Sequence, residues 1–264
     1  MKAGQELGYN RGDINAENKL VLIDPATNRA YGVRFFRYGE FHDVLARKEV
    51  ILSAGAINTP QLLMLSGIDL QLVLLSFNSS SDGNITNKQW QLSNEQSKTF
   101  SIIIVLNRPL SRGRLFLRSN NPFEKPVLKM NYFDNENDVK RLADGGRIVL
   151  DLIKTKVFNR INAKHIYSRI PWCPKALPPS DEYFECLMRY NTEIGYHACG
   201  TAKMGPKSDP KAIVDPELRV RGISNFRVVD ASIMPKVVTG NTNAPVIMIG
   251  EKGSDLIKGS WIKS

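Results

Sequence analysis

Tyr196-His197-Ala198-Cys199-Gly200-Thr201-Ala202-Lys203-Met204-Gly205 sets one histidine at the start of a run of small residues. Further on, Val228-Val229-Asp230-Ala231-Ser232-Ile233-Met234-Pro235 reads as an apolar strand that ends in an acid. Gly240-Asn241-Thr242-Asn243-Ala244-Pro245 follows as a polar turn that opens a helix, with Asn243 the better placed cap and the helix starting near Ala244. A base, a strand end and a helix N-terminus are the parts of a ligand-binding site. The last helix presents Val246, Ile249, Gly250, Gly253 and Ile257 on one face, a mixture of small and apolar residues suited to close packing.

The rest of the composition bounds what such a site could serve. The chain has 264 residues, 42% of them hydrophobic and 23% charged, which is an ordinary globular balance and enough for one large or two small domains. The net charge is +10, but Lys and Arg are spread along the chain without aromatics that could stack on bases. That pattern reads as a solvated basic surface, compatible with an anionic ligand and not with nucleic-acid binding. Cys173, Cys186 and Cys199 show no CxxC spacing, so no metal site is expected. One disulfide can form, and Cys173–Cys186 is the favoured pair because Cys199 sits in the histidine stretch. Asn78-Ser79-Ser80 and Asn84-Ile85-Thr86 are glycosylation sequons and point to a secreted parent. Met1 to Glu6 do not read as a signal peptide, and no apolar run is long enough to span a membrane.

Working back to the start, Lys2 to Asn15 is polar. Leu20–Ile23, the turn Asp24–Asn28 and Ala30–Phe36 form a hairpin. Phe41 to Leu52 continues as extended chain into Ser53-Ala54-Gly55, whose small side chains let a ligand approach the backbone. Asn58 to Ile68 reads as a short helix with Asn58 or Thr59 as cap, Pro60 in its first turn and Gly67 at its end. Asp69 to Gln96 contains Ser79-Ser80-Ser81-Asp82-Gly83-Asn84 and reads as a linker. Strands are expected at Ile102–Leu106, Arg114–Arg118 and Val127–Tyr132, then helices at Asn135–Thr155 and Asp181–Tyr190, which makes a sheet with helices on one face.

The histidine stretch resembles that of the glucose-methanol-choline (GMC) flavin oxidoreductases, in detail their animal glucose-dehydrogenase-like branch. The run Ser53-Ala54-Gly55-Ala56-Ile57-Asn58-Thr59-Pro60-Gln61-Leu62-Leu63-Met64-Leu65-Ser66-Gly67-Ile68 resembles that family's second signature, and Arg108 to Arg114 and Val214 to Val220 match further. The resemblance implies an α/β fold: a partial three-layer FAD/NAD(P)-binding fold with an inserted antiparallel-sheet, α+β substrate-binding domain. Residues 1–75 and 212–264 would make the FAD-binding part, 76–97 a linker and 98–211 the substrate-binding domain. It implies FAD as cofactor, contacted by Ser53, Ala54, Gly55, Asp230, Ala231, Asn241, Thr242 and Asn243. It implies His197 and Asn241 as catalytic residues, an alcohol or sugar substrate, and quinone or oxygen as electron acceptor. Histidine suits the proton transfer of alcohol oxidation because its pKa lies near working pH. His42 and His165 lie outside any such context and read as structural.

The sequence departs from the family in one respect. A dinucleotide fold normally opens with a GxGxxG turn that holds the pyrophosphate, and no two glycines here have G-x-G spacing. The chain therefore looks like the second half of such an enzyme, for which weak or no FAD binding alone is expected. Two functional readings follow, an FAD-dependent oxidoreductase acting on CH–OH groups, or a truncated, non-catalytic remnant.

Overall fold

A computed structural model describes residues 19–68, 74–75, 79–81, 100, 102–167, 171–173 and 175–262. The reading of Lys2 to Asn15 and most of Asp69 to Gln96 lies outside the described residues. The first elements are β1 (Lys19–Asp24), β2 (Arg29–Arg37), β3 (Glu40–Leu45), β4 (Val50–Leu52) and α1 (Gly55–Leu65). Then come β5 (Leu74–Leu75), β6 (Ser79–Ser81), β7 (Ile104–Leu106), β8 (Gly113–Phe116) and β9 (Val127–Lys129). The remainder is α2 (Glu136–Ile153), α3 (Lys156–Arg160), α4 (Asp181–Asn191), β10 (Thr192–Ile194), β11 (Phe226–Val228), a 3₁₀ turn (Ala231–Ile233) and α5 (Asn243–Trp261). This is a mixed α/β chain with small, mostly antiparallel sheets.

The hairpin forms as its turn chemistry requires. Asp24 Oδ1 accepts from Ala26 N at 2.8 Å, and Asn28 takes the left-handed conformation that closes the turn. Phe41 to Leu52 is not one strand. Tyr38 and Gly39 make a tight turn with φ of 53° and 86°, so β3 folds back on β2 with Phe36 opposite Phe41. The chain then leaves that meander, and β4 pairs in parallel with β11, Val50 opposite Phe226 and Leu52 opposite Val228. Side chains from both strands enter the largest core cluster, with Val21, Ala30, Leu63, Cys199, Val214 and Ile249.

Two smaller clusters build the other half. Leu106, Phe133, Val139, Leu142 and Met188 form one, and Ala143, Tyr183, Phe184 and Cys186 the other. Both lie between α2 and its neighbours. The helices start where local caps stop the chain: Asn135 accepts from Asn137 N, and Ser180 accepts from Tyr183 N. The disulfide joins Cys173 to Cys186 on α4, as the motif context suggests. Asp138, buried in the first turn of α2, accepts from Leu110 N, Ser111 N and Ser111 Oγ and so pins the Arg108–Arg114 stretch. Ser79–Ser81 is strand, not loop: it lies between β7 and β10, whose backbone groups supply the pairing that its own sequence does not encode.

The last helix begins at Asn243 with Thr242 as cap residue, one position before the expected cap, and Thr242 makes no side-chain cap bond. Gly253 lets the helix approach Val229, where an added Cβ would stand 2.6 Å from its Cγ1. Gly250, expected on the packed face, is open instead, with nothing within 4 Å of such a Cβ. The far end of the helix is held by a buried ion pair. Arg227 Nε donates to Glu49 Oε2 at 2.9 Å, with the two side chains 4% and 6% exposed. Arg227 also donates to Ser260 Oγ and the Glu217 carbonyl, and Trp261 Nε1 donates to Glu49 Oε1. Every polar atom in that pair thus has a partner, the condition under which a buried ion pair is tolerated.

The glycines of two helices give opposite expectations. At Gly146 of α2 an added Cβ would stand 2.6 Å from Cδ1 of the buried Phe184 ring. Gly146→Ala gains about 1 kcal/mol of helix propensity but overpacks a filled core at a cost of about 1–3 kcal/mol. A net loss in urea-unfolding free energy is expected. Gly250→Ala gains the propensity alone and should stabilise by up to about 1 kcal/mol. The same sign of change for both variants would contradict this packing.

Candidate functional site

The site is built around one buried carboxylate. Asp230 follows β11 and is the cap residue of the 3₁₀ turn, 5% exposed. Its Oδ2 accepts from Gly55 N at 2.9 Å and from Thr59 Oγ1 at 2.6 Å. Its Oδ1 accepts from Ser232 N at 2.7 Å and from Ser232 Oγ. One carboxylate therefore holds the N-termini of both α1 and the 3₁₀ turn, where the helix dipole favours negative charge. Ser53 Oγ adds a bond to Val229 O at 2.9 Å, and Val229 N donates to Leu52 O. Ser53, Gly55, Asp230 and the backbone between them are thus one unit.

This carboxylate also explains where α1 begins. The helix starts at Gly55, not Asn58, and neither Asn58 nor Thr59 is its cap. Thr59 is buried inside the helix, bonded to Asp230 and accepting from Ala54 N at 3.1 Å. Pro60 is likewise inside the helix. It has no N–H to offer the Ala56 carbonyl four residues earlier. Thr201 Oγ1 donates to that carbonyl at 2.7 Å, so the helix defect is satisfied by the histidine stretch.

The histidine stretch then runs beside the 3₁₀ turn. Gly200 N donates to Ala231 O at 3.2 Å, Ala202 N to Ser232 O at 2.9 Å and Met204 N to Ile233 O at 2.7 Å. His197, half-buried, stands just before this bonded run. Cys199 is buried within it, and burial pushes its thiol up to about 12, with the positive charge of Arg112 acting weakly the other way. Beyond the run, Lys203 pairs with Asp209 at 2.6 Å, which holds that carboxyl below its usual range. Asn241 and Asn243 are exposed and Thr242 half-buried at the start of α5, which packs on the 3₁₀ turn. The structure therefore joins Ser53, Gly55, Asp230 and Ala231 directly. It brings His197 and the Asn241–Asn243 turn to the same 3₁₀ turn through their neighbours.

Thr59, Thr201 and Ser232 belong to this unit and were not expected in it. All three are buried to within 1% exposure. The available signal was weak: short hydroxyl residues inside two apolar stretches. His42 and His165 stand elsewhere, as expected. His42 stacks on Phe35, and His165 lies tilted against the Tyr167 ring with its pKa lowered by burial. Among the described residues no group of His, Cys, Asp and Glu could hold a metal ion, and no helix is long and apolar enough to cross a membrane.

Two outcomes test this geometry. Asp230→Asn turns an acceptor of four bonds into a group with its own donors, leaving buried N–H and O–H groups unpaired at about 1–3 kcal/mol each. Chemical denaturation should show a loss of roughly 3 kcal/mol, and a loss below about 0.5 kcal/mol would contradict the arrangement. Cys199 should resist a thiol reagent such as dithionitrobenzoate in the native protein and react once the chain unfolds. Immediate native-state labelling would show that the histidine stretch is not packed as described.

Comparison with known proteins fits this arrangement. Residues 2–73 and 109–250 match the profiles of the N- and C-terminal parts of the GMC oxidoreductases. Glucose dehydrogenase (FAD, quinone) of Drosophila pseudoobscura pseudoobscura is 31% identical, over 94% of this chain and 53% of that protein. Human mitochondrial choline dehydrogenase is 31% identical, over 88% of this chain and 51% of that protein. The chain thus spans about half the length of these relatives. Among solved structures, formate oxidase from Aspergillus oryzae superposes with a TM-score of 0.75 at 22% identity, over 93% of this chain and 60% of that one. A fungal aryl-alcohol oxidase gives 0.76 at 20% identity, over 93% and 61%. At that identity the structures speak for the fold alone, while the matched profiles carry the kinship: the chain belongs to the GMC oxidoreductase family.

Proposed function

We propose that this chain is the part of an FAD-dependent oxidoreductase that takes the proton from a small-molecule alcohol or sugar, with His197 as base and Asn241 as orienting donor. The observation that carries the reading is the backbone ladder from Gly200, Ala202 and Met204 to Ala231, Ser232 and Ile233. It holds the histidine stretch against the turn that follows Asp230. FAD, when bound, supplies the hydride acceptor. Family membership supports FAD as cofactor, and so do features of this structure. Gly55 has open space where a Cβ would stand, and its backbone is fixed by Asp230. The first N–H groups of α5 have no intrahelical acceptors, and no side chain of Thr242 caps them. They fit a group that carries negative charge. Ser53, Ala54, Gly55, Asp230, Ala231, Thr242 and Asn243 would lie along the cofactor, through backbone where their side chains are already bonded.

The chain's own groups divide the work. A neutral imidazole nitrogen of His197 accepts the hydroxyl proton as the carbon loses its hydride. Asn241 cannot take a proton, but its amide donates to the substrate oxygen and holds it in line. Residues 1–75 and 212–264 are proposed as the cofactor layer and 98–211 as the substrate domain; the two smaller core clusters fall within 98–211, while Leu115, Cys199 and Ala202 of that stretch pack in the large cluster. The electron acceptor is proposed as quinone or oxygen. The disulfide between Cys173 and Cys186 and the two sequons favour an oxidising, extracytoplasmic setting.

The test is stopped-flow reduction of flavin in FAD-loaded protein, with the complementing first half supplied. His197→Ala should slow reduction by roughly 10²–10⁴-fold, the usual worth of a general base. Asn241→Ala should cost roughly 10²–10³-fold if it acts like one lost oxyanion donor. Unchanged reduction in a folded His197→Ala variant would remove His197 from the role of base.

A further inference from the structure

One stretch of the chain is at once apolar, basic and uncovered. From Leu152 to Tyr167 it carries Lys154, Lys156, Arg160 and Lys164 and no acidic residue. α3 lies in the middle of this stretch and buries none of its side chains. A helix of five residues is too short to hold itself and ordinarily depends on a packed face. Here the inward contact is Phe158, half-buried and stacked on Phe100. Asn162 closes the turn in the left-handed conformation, and Ala163 N donates to Phe158 O. Val157 and Ile161, one turn apart, are 69% and 66% exposed, and Ile166 is 67% exposed. Ile148 and Leu152, also one turn apart and exposed, precede them on the side of α2 away from the buried Leu142 and Gly146.

The cations decide what can cover these side chains. Lys154 pairs with Asp151, but Lys156, Arg160 and Lys164 are exposed and form no ion pair among the described residues. Lys156 adjoins Val157 in sequence, and Arg160 adjoins Ile161. A protein partner seated on the apolar side chains would bury the cations with them. Interface cores are depleted in lysine because an unpaired buried charge is costly. A second copy of this chain would bring the same cations to the contact. An anionic bilayer accepts both kinds of side chain: its headgroups neutralise the cations, and the apolar side chains enter the boundary beneath the headgroups. We propose that Val157, Ile161 and Ile166, with Lys156, Arg160 and Lys164, form a docking face that seats the chain on an anionic lipid surface. The contact is interfacial, in keeping with the lack, among the described residues, of any helix able to cross a membrane. It makes no use of His197 and stands apart from the reading of that residue as base.

The experiment is co-sedimentation of the full chain with vesicles of phosphatidylcholine, with and without phosphatidylserine, at low and high salt. Binding is expected to the phosphatidylserine vesicles alone and should weaken as salt rises. The triple variant Lys156→Gln, Arg160→Gln and Lys164→Gln should bind roughly 100-fold more weakly, about 5-fold for each cation. The double variant Val157→Ser and Ile161→Ser changes only exposed side chains, so the fold is kept, and it should bind roughly 10-fold more weakly. Lys125→Gln, Lys207→Gln and Lys211→Gln together remove the same charge from exposed positions elsewhere, and this variant should bind within about 2-fold of the wild type. No binding of the wild type to phosphatidylserine vesicles, equal loss in the two triple variants, or undiminished binding of the double variant would each overturn the proposal. Undiminished binding of the double variant together with capture of the chain by polyglutamate would assign the face to an acidic protein instead.

Discussion

A single carboxylate, Asp230, constrains more of this structure than any other group. It is buried, it accepts from two backbone amides and two hydroxyls, and one of those amides, Gly55 N, lies 175 residues before it in sequence. A buried charge is tolerated only when such bonds replace its lost hydration. The carboxylate therefore requires that α1, β11 and the 3₁₀ turn meet in one geometry. Parallel pairing of β4 with β11 delivers Leu52 and Val228 side by side, and the next residues of each strand then reach Asp230. The strand pairing and the polar unit thus specify the same register.

The histidine stretch attaches to this unit twice. Its backbone bonds to the turn that Asp230 starts, and Thr201 fills the bond that Pro60 leaves open in α1. A proline inside a helix would ordinarily leave a carbonyl unpaired. Here the freed acceptor, the buried Ala56 carbonyl, becomes the anchor for a neighbouring segment. These attachments hold the backbone that begins just after His197. The same attachments keep Cys199 buried and its thiol protonated at neutral pH, so a thiol two residues from His197 stays inert.

Much of this was legible in the sequence where the controlling partner is local. The β1–β2 hairpin follows from the Asp24–Asn28 turn, and the helices expected at Asn135–Thr155 and Asp181–Tyr190 start within one residue of α2 and α4, whose caps Asn135 and Ser180 act within a few residues. The starts of α1 and α5 were misplaced for the complementary reason. At α1 the donor Gly55 is satisfied by Asp230, far away in sequence, so Asn58 and Thr59 look like caps and are not. At α5 the cap residue Thr242 makes no side-chain bond, so nothing local marked it and spacing favoured Asn243. Ser79–Ser81 carries no apolar alternation, and its strand form comes from the two flanking strands. His197 stood out through the resemblance of its stretch to the family motif, and Asp230 as the acid that ends an apolar strand. Thr59, Thr201 and Ser232 did not, since a buried hydroxyl bonded at long range has no short-range mark.

The claim that Asp230 joins two segments through one carboxylate has a direct thermodynamic signature. Thr59→Val and Ser232→Ala each delete one hydroxyl donor, on opposite oxygens of the same group. Groups that share a network are non-additive, whereas independent sites add within about 0.5 kcal/mol. A double-mutant cycle read by urea denaturation should give a coupling energy of about 1 kcal/mol or more. Additivity within about 0.5 kcal/mol would mean that the two hydroxyls act separately and that Asp230 is not the junction on which the site is built.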